Sequence, residues 1–229
     1  MKRFHRHVLT ACLVTLLGVA PAFAGAYEDL IQAGKLGDIE TINGLLKRGV
    51  DPNSTDRAGN SLLTMAANDG YESLVRALLP YRPNLNARNA HGETALQLAS
   101  YKGHTGIVRL LLAAGAPTNS PGWPALIYAT FSGHEQIVEM LLEAGADKDL
   151  RADNGMSALM FAAEAGKEPI VRLLLAAGAN TEFKTARGDT AYSLSLKAKN
   201  PLVSQLIEEA AVKHQRNARM EAKAQVQEK

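Results

Sequence analysis

The chain has 229 residues, 46% of them hydrophobic and 21% charged, with a formal net charge of +2. That balance suits a packed core and excludes a disordered or polybasic protein, and nothing in it points to nucleic acid or an anionic membrane surface. A single cysteine, Cys12, excludes disulfides within the chain and cysteine metal sites.

Residues 1–24 read as a secretory signal peptide. Lys2, Arg3, His5, Arg6 and His7 form a basic start, Val8 to Ala20 is an apolar run, and Ala22-Phe23-Ala24 is a small-x-small cleavage site. The run is too short to span a bilayer as a stable anchor. Leu9-Thr10-Ala11-Cys12 has the form of a lipoprotein box but lies too early, so lipidation is not expected. Cleavage before Gly25 removes Cys12 and three basic residues, leaving 22 Lys and Arg against 23 Asp and Glu, a net charge of −1. A leader followed by a cysteine-free chain predicts a periplasmic protein, with secretion as the second choice.

Beyond the leader one phrase keeps returning. Glycines stand at 59, 92, 122, 155 and 188, at equal steps except the one from 92 to 122, which is shorter by three. They open Gly59-Asn-Ser-Leu-Leu, Gly92-Glu-Thr-Ala-Leu, Gly122-Trp-Pro-Ala-Leu, Gly155-Met-Ser-Ala-Leu and Gly188-Asp-Thr-Ala-Tyr. Such a period predicts a solenoid whose units bury their apolar faces against their neighbours. Each unit predicts two helices. The first is capped by Ser61, Thr94, Ser157 or Thr190 and ended by Gly70, Gly103, Gly133 or Gly166. The second carries a buried stripe such as Ile107, Val108, Leu110, Leu111 and Leu112, and ends at Gly115, Gly145 or Gly178. Asn53, Asn86, Asn119, Asp149 and Asn180 start the turn into the following loop.

The ends depart from the pattern. The first unit has no loop of this kind and carries Lys35, Asp38, Glu40 and Lys47 on its outer face. The last has Ser195-Leu196 where others have Ala-Ala, and reads Asn200-Pro201 at the Gly-His position. In the second unit, Leu79-Pro80-Tyr81-Arg82-Pro83 replaces the glycine ending, so proline is expected to stop that helix. Residues 212–229 are a polar tail, helical or disordered.

Gly92-Glu-Thr-Ala-Leu-Gln-Leu-Ala-Ser-Tyr-Lys-Gly-His, followed by Ile107-Val108-Arg109-Leu110-Leu111-Leu112-Ala113-Ala114-Gly115-Ala116, resembles the ankyrin repeat. The resemblance covers about residues 26–210 and implies an all-α solenoid with short β-hairpin fingers. The domain spans 25–211, in six units of about 26–55, 56–88, 89–118, 119–151, 152–184 and 185–211. It further implies a non-enzymatic module that binds another protein through its concave face. Exported bacterial proteins of this type imply a scaffold or accessory factor, with a link to oxidative-stress defence. An immunity protein against a periplasm-acting toxin, and a haem- or ligand-handling protein using His91, His104 or His134, are the alternatives.

No catalytic motif is present, and no cofactor or metal is expected. His104 and His134 fall on the family's Gly-His position and are expected to be structural. The partner-facing positions that the resemblance implies are Arg88, His91, Glu93, Arg151, Asn154 and Met156 on the fingers, and Tyr101, Phe131 and Glu164 on first helices. Trp123, the only tryptophan, joins them beside the one shortened finger. The aromatic group Tyr101, Trp123 and Phe131 is the expected anchor, because large aromatics dominate interface energetics. The chain is expected to act as a monomer and to contact neither nucleic acid nor membrane.

Overall fold

A computed structural model describes residues 25–227; the expected leader, residues 1–24, lies outside the described residues. Twelve helices occur among the described residues, and no strand. They are α1 (residues 25–36), α2 (Ile39–Lys47), α3 (Leu62–Asp69), α4 (Glu72–Leu78), α5 (Ala95–Lys102) and α6 (Thr105–Ala113). Then follow α7 (Ala125–Ser132), α8 (Glu135–Glu143), α9 (Ala158–Glu164), α10 (Glu168–Ala176), α11 (Ala191–Lys197) and α12 (Pro201–Gln227). The described residues divide into two compact units, 25–95 and 96–227.

In the first unit, Asp38 caps α2 by accepting from the Thr41 N–H, and Ser61 caps α3 by accepting from the Thr64 N–H. Helix α3 is buried from Leu62 through Ala67, whereas α4 buries only the stripe Leu74, Val75 and Leu78. The proline segment makes a 3₁₀ turn, Leu79–Tyr81, rather than a glycine ending. Arg82 then takes the left-handed conformation, with φ 52°.

In the second unit, α7, α9 and α11 pack in sequence on one another, and so do α6, α8, α10 and α12. The buried triad Ile107, Val108 and Leu111 of α6 recurs as Ile137, Val138 and Leu141 in α8 and as Ile170, Val171 and Leu174 in α10. These are one-face positions of amphipathic helices. Each buried Leu or Ile contributes about 2 kcal/mol relative to exposure. Helix α9 is buried from Ala158 to Ala163, because helices lie on both of its sides. Ser157 caps it, and a reciprocal box of Thr190 and Ser193 caps α11.

The last unit corrects the sequence register by one position. Lys199 occupies the left-handed position, with φ 56°, that Gly166 fills one repeat earlier; Asn200 stands at the histidine position and Pro201 opens α12. The sequence pattern puts Asn200 at the glycine position and Pro201 at the histidine position, because a lysine at 199 hides the match. Helix α12 runs for 27 residues against nine in α10, so it continues through the tail as far as Gln227.

The fingers are tight loops. Four share one pair of backbone bonds: Asp56 N to Asn60 O and Gly59 N to Asp56 O, repeated from Asn89, Ala152 and Thr185. Isolated antiparallel bridges pair Thr55 with Ser61 and Arg151 with Ser157.

Candidate functional site

The shortened finger is built differently from the other four. Residues 117–124 contain bends but no hydrogen-bonded turn. Gln97, 2% exposed on α5, holds them: its Nε2 donates to Trp123 O at 2.7 Å and to Pro121 O at 3.4 Å. A buried amide thus stands where the other fingers have a hydrogen-bonded turn. The Trp123 ring lies against residues of the first helices α7 and α9.

There it completes a cluster of aromatic rings. Trp123 lies 5.6 Å from Tyr128, 5.8 Å from Phe131 and 5.2 Å from Phe161, centroid to centroid. Tyr101 meets Tyr128 edge-on at 5.5 Å, and Phe131 meets Phe161 edge-on at 5.8 Å. Such geometries add about 1 kcal/mol per pair beyond area burial. Phe161 is buried, Trp123 and Tyr128 half-buried, while Tyr101 is 40% and Phe131 50% exposed. The expected trio is therefore one patch with a buried floor. Tyr128 and Phe161 were missed in the sequence: both look like ordinary core positions of a first helix, and only their proximity to Trp123 reveals them.

The exposed rings stand on braced helix ends. His134 places Nε2 3.0 Å from Tyr101 O, and Lys167 donates from Nζ to Thr130 O at 3.0 Å and to Phe131 O. Both residues directly follow the glycine that ends a first helix, and both reach back to satisfy the C-terminal carbonyls of the preceding one. Asn200 does the same to Gly166 O, and Tyr71 does so to Lys35 O in the first unit. Gly103 must be glycine twice over: its φ is +82°, and a Cβ there would lie 2.6 Å from the His134 ring. Burial lowers the Lys167 pKa from its ordinary value.

The remaining expected residues divide between the two units. In the first, Arg88 donates to Gly92 O at 2.7 Å, and Glu93 accepts from Asn89 Nδ2 at 3.0 Å, so both side chains hold their own finger. The His91 side chain is exposed. In the second unit, Arg151 is exposed with its guanidinium 5.3 Å from the Phe183 ring centre. Asn154 accepts from the Met156 N–H at 3.0 Å, and Met156 is half-buried. Glu164 is exposed at the end of α9. Finger-opening side chains were also missed: Asp56, Asn89 and Thr185 each accept two backbone N–H groups of their own loop. For Asp56, burial raises the carboxyl pKa, but bonds from Asn60 and Ala58 and the nearby Lys35 charge outweigh it, and the net direction is down.

Among the described residues no group of three or more His, Cys, Asp or Glu could hold a metal ion, and no helix is long and apolar enough to cross a membrane.

The family model for ankyrin repeats (three copies) matches residues 30–121, 84–152 and 126–218, and the chain belongs to that family. The fold is similar to an ankyrin repeat domain from Acinetobacter baumannii, with TM-score 0.76 and 26% identity over 80% of this chain and 97% of that one. It is also similar to the ankyrin repeat domain of Bcl-3, a member of the IkappaB protein family, with TM-score 0.67 and 29% identity over 74% of this chain and 77% of that one. Among curated proteins it is 38% identical to the NF-kappa-B inhibitor alpha of Sus scrofa over 87 residues, 35% of this chain and 28% of that protein. It is 32% identical to the putative ankyrin repeat protein YahD of Escherichia coli over 133 residues, 42% of this chain and 66% of that protein. The Arabidopsis thaliana ligase XBAT33 matches at 35% identity, with only 19% of its length spanned. Ankyrin repeats are a protein–protein interaction module and generally a non-catalytic scaffold.

Proposed function

We propose that this chain is an exported, six-repeat ankyrin protein that binds a partner protein through the aromatic patch of its second unit. The six consecutive helix pairs are its repeats, and the basic, apolar leader of residues 1–24 directs it to the periplasm. There it acts as a scaffold or accessory factor, with oxidative-stress defence as its setting. The observation that carries the binding reading is the cluster around Trp123, which leaves Tyr101 and Phe131 exposed on a braced, preformed surface. Rigid aromatic anchors lose little conformational freedom on association, which favours affinity. Arg151, Asn154 and Glu164 offer a partner exposed polar side chains of the same unit, and the half-buried Met156 an apolar one. The NF-kappa-B inhibitor relatives are named for inhibiting another protein, in keeping with a fold that acts by occupying a partner's surface.

The test combines fractionation with capture. The chain is expected in the periplasmic fraction with its N-terminus at Gly25. A tagged chain is expected to retain a partner that the Tyr101→Ala, Phe131→Ala double variant releases. A cytoplasmic chain of full length contradicts the export reading, and equal retention by both proteins contradicts the site.

A further inference from the structure

We propose that the C-terminal end of the second unit is a self-association surface, in which the projecting half of α12 lies in the groove beside α11 of a second copy, and the reverse. Tyr192 and Leu196 lie one helical turn apart on α11 and are 37% and 53% exposed. Their counterparts one repeat earlier, Leu159 and Ala163, are fully buried, and there α11 packs on α9. The position is thus one that this fold covers with a following helix, and no described helix follows α11 except α12, which packs beside it.

The open groove beside it is lined by Tyr192, Ile207 and Ala211 and rimmed by the carboxylates of Glu182 and Glu208. The projecting half of α12 has the opposite character. Lys213, His214 and Arg216 are exposed, as are Val212 at 61% and Met220 at 63%. Lys213 and Arg216 have no ion-pair partner among the described residues. An acidic, apolar groove and a basic, apolar helix on one chain are complementary. A single unbroken helix cannot fold back on its own groove, so the helix that fills it comes from another copy. The exchange is reciprocal, which gives a closed two-fold pair. It also provides packing for a helical extension that would be marginal alone in water.

The test is sedimentation equilibrium of the full-length chain processed at its leader, with a pair of charge-reversed variants. One carries Glu182→Lys and Glu208→Lys, making groove and helix both basic; the other carries Lys213→Glu and Arg216→Glu, making both acidic. The wild-type chain is expected to dimerise, and each variant alone to weaken the dimer by about tenfold or more. An equimolar mixture of the two is expected to restore it, because each groove then meets a helix of opposite charge. Leu196→Glu, an exposed position, is an independent change with the same expected loss, and circular dichroism checks that each variant remains helical. A wild-type chain that stays monomeric at every concentration overturns the proposal. So does a dimer that both variants retain, or a mixture that does not recover.

Discussion

Two residues hold a backbone conformation that their side chains disfavour. Arg82 and Lys199 have φ of 52° and 56°, where the equivalent turn of other units uses glycine. A non-glycine residue in that region costs about 1 kcal/mol or more. Replacing Lys199 by glycine is expected to raise unfolding stability by up to about 1 kcal/mol, net of the extra freedom that glycine brings to the unfolded chain. Chemical denaturation of Lys199→Gly and Arg82→Gly checks this, and a loss of stability in both would show that the side chains matter more than the strain. A lysine in a glycine position also explains why the register of the last unit is hidden in the sequence. The signal for a left-handed turn is the glycine itself, and without it only the helix start at Pro201 fixes the register.

At the scale of the element, the shortened finger depends on one buried amide. The short step between Gly92 and Gly122 was legible, and so was the presence of Trp123 beside it. The role of Gln97 was not, because a glutamine at a first-helix position gives no hint that it will bond the carbonyls of Pro121 and Trp123 in the following repeat. Gln97→Ala is expected to destabilise the chain by about 2 kcal/mol, since it strips a buried donor from two carbonyls. It should also red-shift the Trp123 emission as the loop loosens. An unchanged melting temperature and spectrum would remove Gln97 from the account. The Asp56 finger adds a pH signature. Its carboxyl pKa is depressed in the fold, so its contribution is present above the ordinary aspartate value near 4 and is lost as pH falls through the folded value. Asn89 holds the same place in the next finger, so Asp56→Asn should fold and should lose less stability than the wild-type chain below about pH 4. Melting curves taken from neutral to acid pH decide between that result and two parallel curves.

For the molecule as a whole, the repeat period was enough to predict a solenoid, because a fixed phrase at fixed spacing leaves few ways to bury apolar faces. The resemblance to the ankyrin repeat implied that it is all-α. The binding patch was legible only in part. Tyr101 and Phe131 were readable as exposed first-helix positions, but Trp123 plays two roles at once. It packs against Phe161 and Tyr128 while its cluster presents an open face, so Trp123→Ala would disturb folding as well as binding. That is why the site is better probed at Tyr101 and Phe131, where truncation removes exposed area and leaves the floor intact. Because Trp123 is the single tryptophan, its emission reports on that patch alone. The most direct measurement is a titration of the captured partner into the wild-type chain, followed by Trp123 fluorescence and by calorimetry. A partner that covers the patch should change the emission with the stoichiometry that calorimetry gives, and the Tyr101→Ala, Phe131→Ala variant should bind at least about tenfold more weakly at unchanged helicity. Heat of binding without a change in emission, and equal affinity for the variant, would contradict the assignment of the aromatic patch as the partner site.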